Sequence, residues 1–201
     1  MQYVELGRTG LKISRLGFGG IPIQRIDQPG TKALLKAAHE AGINYIDTAR
    51  GYTVSEAWIG QSLEELGLRD RFVLATKCRA LTKAEMQQQL ALSLENLRTD
   101  HIELYQLHNP SLQDLEQILA PGGALEALLE ARDAGVVGHI GVTAHLAAVF
   151  EKALEVPEFE TIMFPYNIVE QQGAELIERC AKAGKAFIDM KPLAGGAIED
   201  G

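Results

Sequence analysis

Asp47, Tyr52, Lys77 and His108 are the residues whose types and placement could carry a reaction. The run Asn44-Tyr45-Ile46-Asp47 ends in a carboxylate, and a phenol follows across Thr48-Ala49-Arg50-Gly51. Val73-Leu74-Ala75-Thr76-Lys77 ends in an ammonium, and Leu104-Tyr105-Gln106-Leu107-His108 in an imidazole. Successive apolar runs thus each deliver one ionisable group at, or just past, the C-terminal end. A free phenol, with a pKa of about 10, is a poor proton donor at neutral pH. A cation about 4 Å away, at an effective dielectric of about 20, favours the phenolate by roughly 4 kcal/mol, or about 3 pKa units before screening. That brings Tyr52 toward the range where general acid–base catalysis is efficient. Lys77 is costly to bury alone, and Asp47 supplies its counter-charge. His108, as a neutral imidazole, then orients or polarises a substrate oxygen. The competing reading is an Asp–Lys ion pair in a polar mouth, beside a stacked tyrosine and a structural histidine.

These groups share one pocket only if their strands are parallel neighbours. Residues 2–14 read as a hairpin turning at Gly7-Arg8-Thr9-Gly10, and 16–20 as a strand whose Gly19 and Gly20 let something approach the backbone closely. Strands follow at 43–47, 72–77, 101–107, 137–142, 160–164 and 186–190. Helices are expected from Thr31 to Ala41, and over 55–67, 82–97, 123–134, 145–155 and 170–183. Thr82 and Glu85 are spaced as a capping box, and 109–122, with Pro110 and Pro121, reads as a loop. Alternating strands and helices indicate parallel β-α units. The polar residues fall at strand ends along the whole series, and Gly17-Phe18-Gly19-Gly20 lacks the GxGxxG spacing, which favours a barrel over a doubly wound sheet. Seven strands follow the hairpin, whereas a closed barrel has eight and runs to ~250 residues. The expectation is an α/β fold: one domain over residues 1–201, a (β/α)8 TIM barrel truncated after strand 7, with an N-terminal hairpin cap.

The 201 residues are 46% hydrophobic, enough for one sizeable core, and carry a net charge of −8 with acids spread along the chain. No basic face forms, so nucleic acid is not an expected partner. Cys78 and Cys180 form no CxxC, the histidines show no metal-ligand spacing, and neither a leader nor an 18-residue apolar run occurs. A cytoplasmic protein with no metal and no membrane contact is expected.

At these residues the sequence resembles the aldo-keto reductases. Leu6-Gly7-Arg8-Thr9-Gly10-Leu11-Lys12-Ile13-Ser14 is similar to their opening hairpin, and Leu16-Gly17-Phe18-Gly19 to their first strand. Asp47-Thr48-Ala49 with Tyr52 and Glu56 looks like their aspartate–tyrosine motif, and Thr76-Lys77 and Leu107-His108 like their lysine and histidine positions. Gly141-Val142-Thr143 and Lys191-Pro192-Leu193-Ala194-Gly195-Gly196 resemble segments that touch the cofactor's carboxamide and pyrophosphate. The resemblance implies a barrel that binds NADPH, or NADH, without a Rossmann domain, and that reduces an aldehyde or ketone. It implies Tyr52 as general acid, Lys77 as its modulator, Asp47 as the partner of Lys77, and His108 as the group positioning the carbonyl. It places the cofactor against Gly19, Gly20, Thr143, Lys191, Pro192, Leu193 and Gly195. Met163 stands at the family's glutamine position, with Asn167 as a substitute, and Met190 replaces an aromatic. The family's contacts to the adenosine 2′-phosphate would lie beyond Gly201, so NADP and NAD are not distinguished.

Two other readings stand beside the carbonyl reductase. One is a catalytically silent fragment that keeps the catalytic residues but holds no cofactor unless missing sequence or a partner chain completes it. The other is a lyase or isomerase using Lys77 and Asp47 as a Schiff-base pair, which leaves Tyr52 and His108 without work. An unclosed barrel leaves sheet edges open, and an oligomer covering the gap is a further expectation. His145, Arg50 and Arg79 lie near the rim as lesser candidates, whereas His39, His101 and His139 read as structural.

Overall fold

The structure, a computed structural model, describes residues 1–196. Strands β1 (Tyr3–Glu5) and β2 (Lys12–Ser14) form an antiparallel hairpin. The remaining strands are β3 (Phe18–Gly19), β4 (Tyr45–Asp47), β5 (Val73–Cys78), β6 (Ile102–His108), β7 (Val137–Thr143), β8 (Thr161–Pro165) and β9 (Ala186–Met190). They form one parallel sheet in which each strand pairs with its successor in the chain. Among the described residues β3 and β9 are its two edges. The fold is the expected barrel, seen as seven of its strands.

Two apolar layers hold the sheet. Leu35, Ile59, Leu63, Leu90, Leu97, Leu128, Phe150 and Leu176 come from helices and pack on outward-facing Ile46, Leu74, Tyr105, Ile140 and Phe164. Burying each such side chain contributes roughly 1.5–3 kcal/mol. On the inner face, Tyr45, Ala75, Leu104 and Ala186 meet Leu6 and Ile13 of the hairpin, which plugs the N-terminal end of the strands. The plug is tied by Ser14 N–H donating to Asn44 Oδ1 (2.5 Å) and Asn44 N–H donating to Ser14 Oγ (3.1 Å).

The helices are α1 (Gln28–Glu40), α2 (Ser55–Leu66), α3 (Lys83–Leu97), α4 (Leu112–Leu119), α5 (Ala124–Asp133), α6 (Ala147–Leu154) and α7 (Ala174–Lys182). Thr82 and Glu85 form the capping box their spacing predicts. Two expectations are corrected. Helix α1 starts before Thr31: Asp27 caps it by accepting from Gly30 N–H (2.8 Å), and Pro29 sits in the first turn, where its missing N–H costs nothing. Thr31 lies inside the helix, its hydroxyl donating to Asp27 O (3.0 Å). Residues 109–122 are not all loop: Ser111 and Asp114 cap α4 reciprocally, and Pro110 lies just before the cap. Helices α6 and α7 are shorter than expected, because the residues before them hydrogen-bond within the rim loops. Among the described residues no helix is long and apolar enough to cross a membrane.

Candidate functional site

Side chains alternate across a strand, so residues two beyond the inner-facing Tyr45, Ala75 and Leu104 point the same way, higher in the barrel. These are Asp47, Lys77 and Gln106. Lys77 Nζ donates to Asp47 Oδ2 (2.5 Å) and to Thr48 O (2.8 Å), and its side chain is only 3% exposed. Gln106 Nε2 donates to the other carboxylate oxygen of Asp47 (3.1 Å). Two apolar layers and a hairpin plug therefore support one polar layer near the C-terminal rim.

Tyr52 reaches this layer from the turn after β4. Thr48 N–H donates to Ala75 O and Arg50 N–H to Lys77 O, both at 2.9 Å, so the turn continues the sheet's bonding beyond β4. Thr53, at φ 42°, then bends the chain into α2, an unusual conformation for a β-branched residue. Gly20 locks the turn from the other side: its N–H donates to Asp47 O (2.7 Å), and its carbonyl accepts from Ser55 Oγ (2.9 Å). A Cβ at Gly20 would lie 2.8 Å from Ser55 Oγ and 3.0 Å from Asp47 O, so glycine is required there. Tyr52 meets Lys77 through its ring: Nζ lies 5.1 Å from the ring centroid, within cation–π range. The phenol ring also meets His108, edge-to-face at 5.8 Å and 85°. All four sequence candidates thus fall in one cluster.

Burial, then the charges of Lys77, Arg79 and His145, push His108 down to about 4, so its imidazole is neutral near pH 7. His145 is also held below its ordinary value, by burial and by Lys191. A recess of about 170 Å³ opens beside His108, walled by Arg79, Leu81, Asn109, Pro110 and Asp114. Arg79 is exposed on this wall, whereas Arg50 is taken up by an ion pair with Glu56 (2.6 Å).

Residues 15–201 match the profile of the Aldo/keto reductase family. The chain belongs to that family. It is 32% identical over 203 residues to aldo-keto reductase YhdN of Bacillus subtilis, a match covering 92% of this chain and 60% of that protein. It is 28% identical to the NADH-specific methylglyoxal reductase of Escherichia coli, covering 98% of this chain and 69% of that protein. Among solved structures, the holo form of aldo-keto reductase AKR11C1 from Bacillus halodurans superposes with a TM-score of 0.88 at 28% identity, over 98% of this chain and 68% of that one. The chain therefore spans about three fifths to two thirds of these relatives' length.

In this aldo/keto reductase chain the remaining candidates spread around the same rim. Gly19 ends β3, and a Cβ there would meet nothing within 4 Å. Thr143 ends β7, its hydroxyl accepting from Asn109 N–H (2.9 Å). Asn167 is spent on its own loop: Oδ1 accepts from Val169 and Glu170 N–H (2.8 Å each), and Nδ2 donates to Lys191 O (3.1 Å). Lys191, Pro192, Leu193 and Gly195 form an exposed turn after β9, with Lys191 at φ 61° and Gly195 at φ 70°. His101 Nδ1 donates to Gly135 O (2.8 Å), His139 pairs with Glu160 (2.9 Å), and His39 tilts against Phe72, all away from the cluster. Sequence reasoning missed Gln106 as a holder of Asp47. Its signal was available, since it stands two residues before His108 on the inner face of the strand.

Proposed function

We propose that this chain reduces an aldehyde or ketone to an alcohol with a nicotinamide cofactor, NADPH first and NADH as the alternative. The observation that carries the reading is the cluster itself: an ammonium fixed on a carboxylate, against the face of a phenol that also packs on a neutral imidazole. When bound, the reduced nicotinamide supplies hydride to the carbonyl carbon. The chain's own residues do the rest. Tyr52 gives its hydroxyl proton to the carbonyl oxygen, and Lys77 stabilises the phenolate left behind. Asp47, itself held by Gln106, keeps Lys77 in place. His108 stays neutral and donates one N–H to the same oxygen, aligning it without adding a charge.

The rim suits such a cofactor. The turn at 191–195 alternates in handedness, with Lys191, Ala194 and Gly195 all at positive φ, and turns of this kind gather backbone N–H groups toward phosphate oxygens. Gly19 leaves the opposite side open, Gly20 beside it holds the Tyr52 turn, and the Thr143 hydroxyl still has its own proton to donate to a carboxamide. Asn167 acts by fixing the Lys191 carbonyl. Lys77 has two short hydrogen bonds and almost no exposure, which leaves it poorly placed for Schiff-base chemistry. Replacing Tyr52 by Phe is expected to cut aldehyde-dependent NADPH oxidation by about 10²-fold or more, the loss of a general acid. NADPH affinity, read by fluorescence titration, should hardly change. Full turnover in Tyr52→Phe would refute the assignment.

A further inference from the structure

Glu56 is 1% exposed and opens α2 just after the Tyr52 turn. An acidic residue in a first helical turn needs only to face the N-terminus from solvent. This one is instead surrounded by donors from three separate elements. Its Oε1 accepts from Thr76 Oγ1 (2.7 Å) and Ser93 Oγ (2.8 Å), while Oε2 accepts from Arg50 Nη1 (2.6 Å) and Asn96 Nδ2 (3.4 Å). Thr76 precedes Lys77 on β5, Arg50 lies midway between Asp47 and Tyr52, and Ser93 and Asn96 belong to α3. Arg50 N–H in turn donates to the Lys77 carbonyl (2.9 Å), and Arg50 Nε to Gln89 (3.2 Å).

A buried ion pair is a weak source of stability compared with apolar side chains of the same volume, but it fixes geometry because each partner must be met. The partners here are the two segments that carry the phenol and the ammonium. We propose that Glu56 is a positioning residue that sets Tyr52 against Lys77 by tying the Tyr52 turn to β5 through Arg50 and Thr76. The proposal rests on reading Tyr52 and Lys77 as the working pair.

The test uses Glu56→Gln, which keeps the size and the acceptor for Thr76 and Ser93 but turns an amide toward Arg50. The chain is labelled with 3-fluorotyrosine, giving five resonances, with Tyr52 assigned by its loss in Tyr52→Phe. Glu56→Gln should shift or broaden the Tyr52 fluorine signal and lower kcat by about 10-fold or more, since misplacing reacting groups is costly, with the KM for NADPH nearly unchanged. Leu125→Ala, a truncation in the apolar layer on α5, serves as the control and should leave both readings at wild type while lowering Tm. Should Glu56→Gln fail to fold, Arg50→Gln removes the same link at a side chain 21% exposed and should give the same two changes. An unmoved fluorine signal, or an equal loss of kcat in the control, would overturn the proposal. A moved signal together with full turnover in Tyr52→Phe would overturn the reading of Tyr52 and leave the positional claim standing.

Discussion

His108 shows how little charge the site tolerates beyond its one ion pair. Its ring is held at a pKa of about 4 by burial first and by the Lys77 and Arg79 cations next, against an ordinary 6.5. Above pH 6.5 the imidazole is neutral whether the chain is folded or not, so its contribution to stability does not vary there. Between about 6.5 and 4 the unfolded chain binds a proton that the folded chain refuses, so acidification through that window favours unfolding. An NMR titration of His108 should therefore find a midpoint well below 6.5, near 4, and His108→Gln should flatten the fall in stability over the same window. A midpoint near 6.5 would contradict the picture of a neutral hydrogen-bond donor. At this scale Asp47, Lys77 and His108 stand out because each ends a run of apolar residues, and Tyr52 because it follows Asp47 across a short turn. The roles of Glu56 and Gln106 depend on partners from strands and helices distant in sequence, which neither the motif around Tyr52 nor the spacing from His108 identifies.

The elements that carry these residues are set by short-range rules where caps are present and by close approach elsewhere. Thr31 is a plausible cap by residue type, but Asp27 four residues earlier does the capping, with Pro29 in the first turn, where a helix tolerates proline. Helix α4 was missed for the related reason that Pro110 and Pro121 frame it, while its Ser111–Asp114 box is short and easily overlooked. The strands were legible almost to the residue, since parallel strands buried on both faces read as near-continuous apolar runs. Close packing between helices is less visible in sequence. Gly60 on α2 has the backbone of α3 so near that a Cβ would lie 2.3 Å from Asn96 O. Gly60→Ala should thus destabilise the chain by ~3 kcal/mol or more through overpacking. Asp27→Ala, which removes only the α1 cap, should cost about 1 kcal/mol. Urea unfolding of the two variants checks the order, and equal losses would contradict it.

On the scale of the whole molecule, a curled sheet with a plugged bottom gives a rim that gathers groups from β4, β5 and β6. The same sheet ends in two edges among the described residues, β3 with two residues and β9 with five. Unpaired strand edges template association. The sedimentation coefficient of this chain should accordingly rise with concentration, and a constant monomer value would show that the edges are covered. The barrel itself was legible from alternation and from polar strand ends. What fits the recess beside His108 was not, because its walls come from α4 and two loops. Most direct for the claim that phenol, ammonium and their supports act as one unit is a double-mutant cycle in aldehyde-dependent NADPH oxidation, comparing Tyr52→Phe, Lys77→Met and the pair. Groups that act together lose nearly all their effect with the first removal, so the double variant should be about as slow as Tyr52→Phe alone. Losses that multiply would mean that Tyr52 and Lys77 work independently, and that result would contradict the shared site.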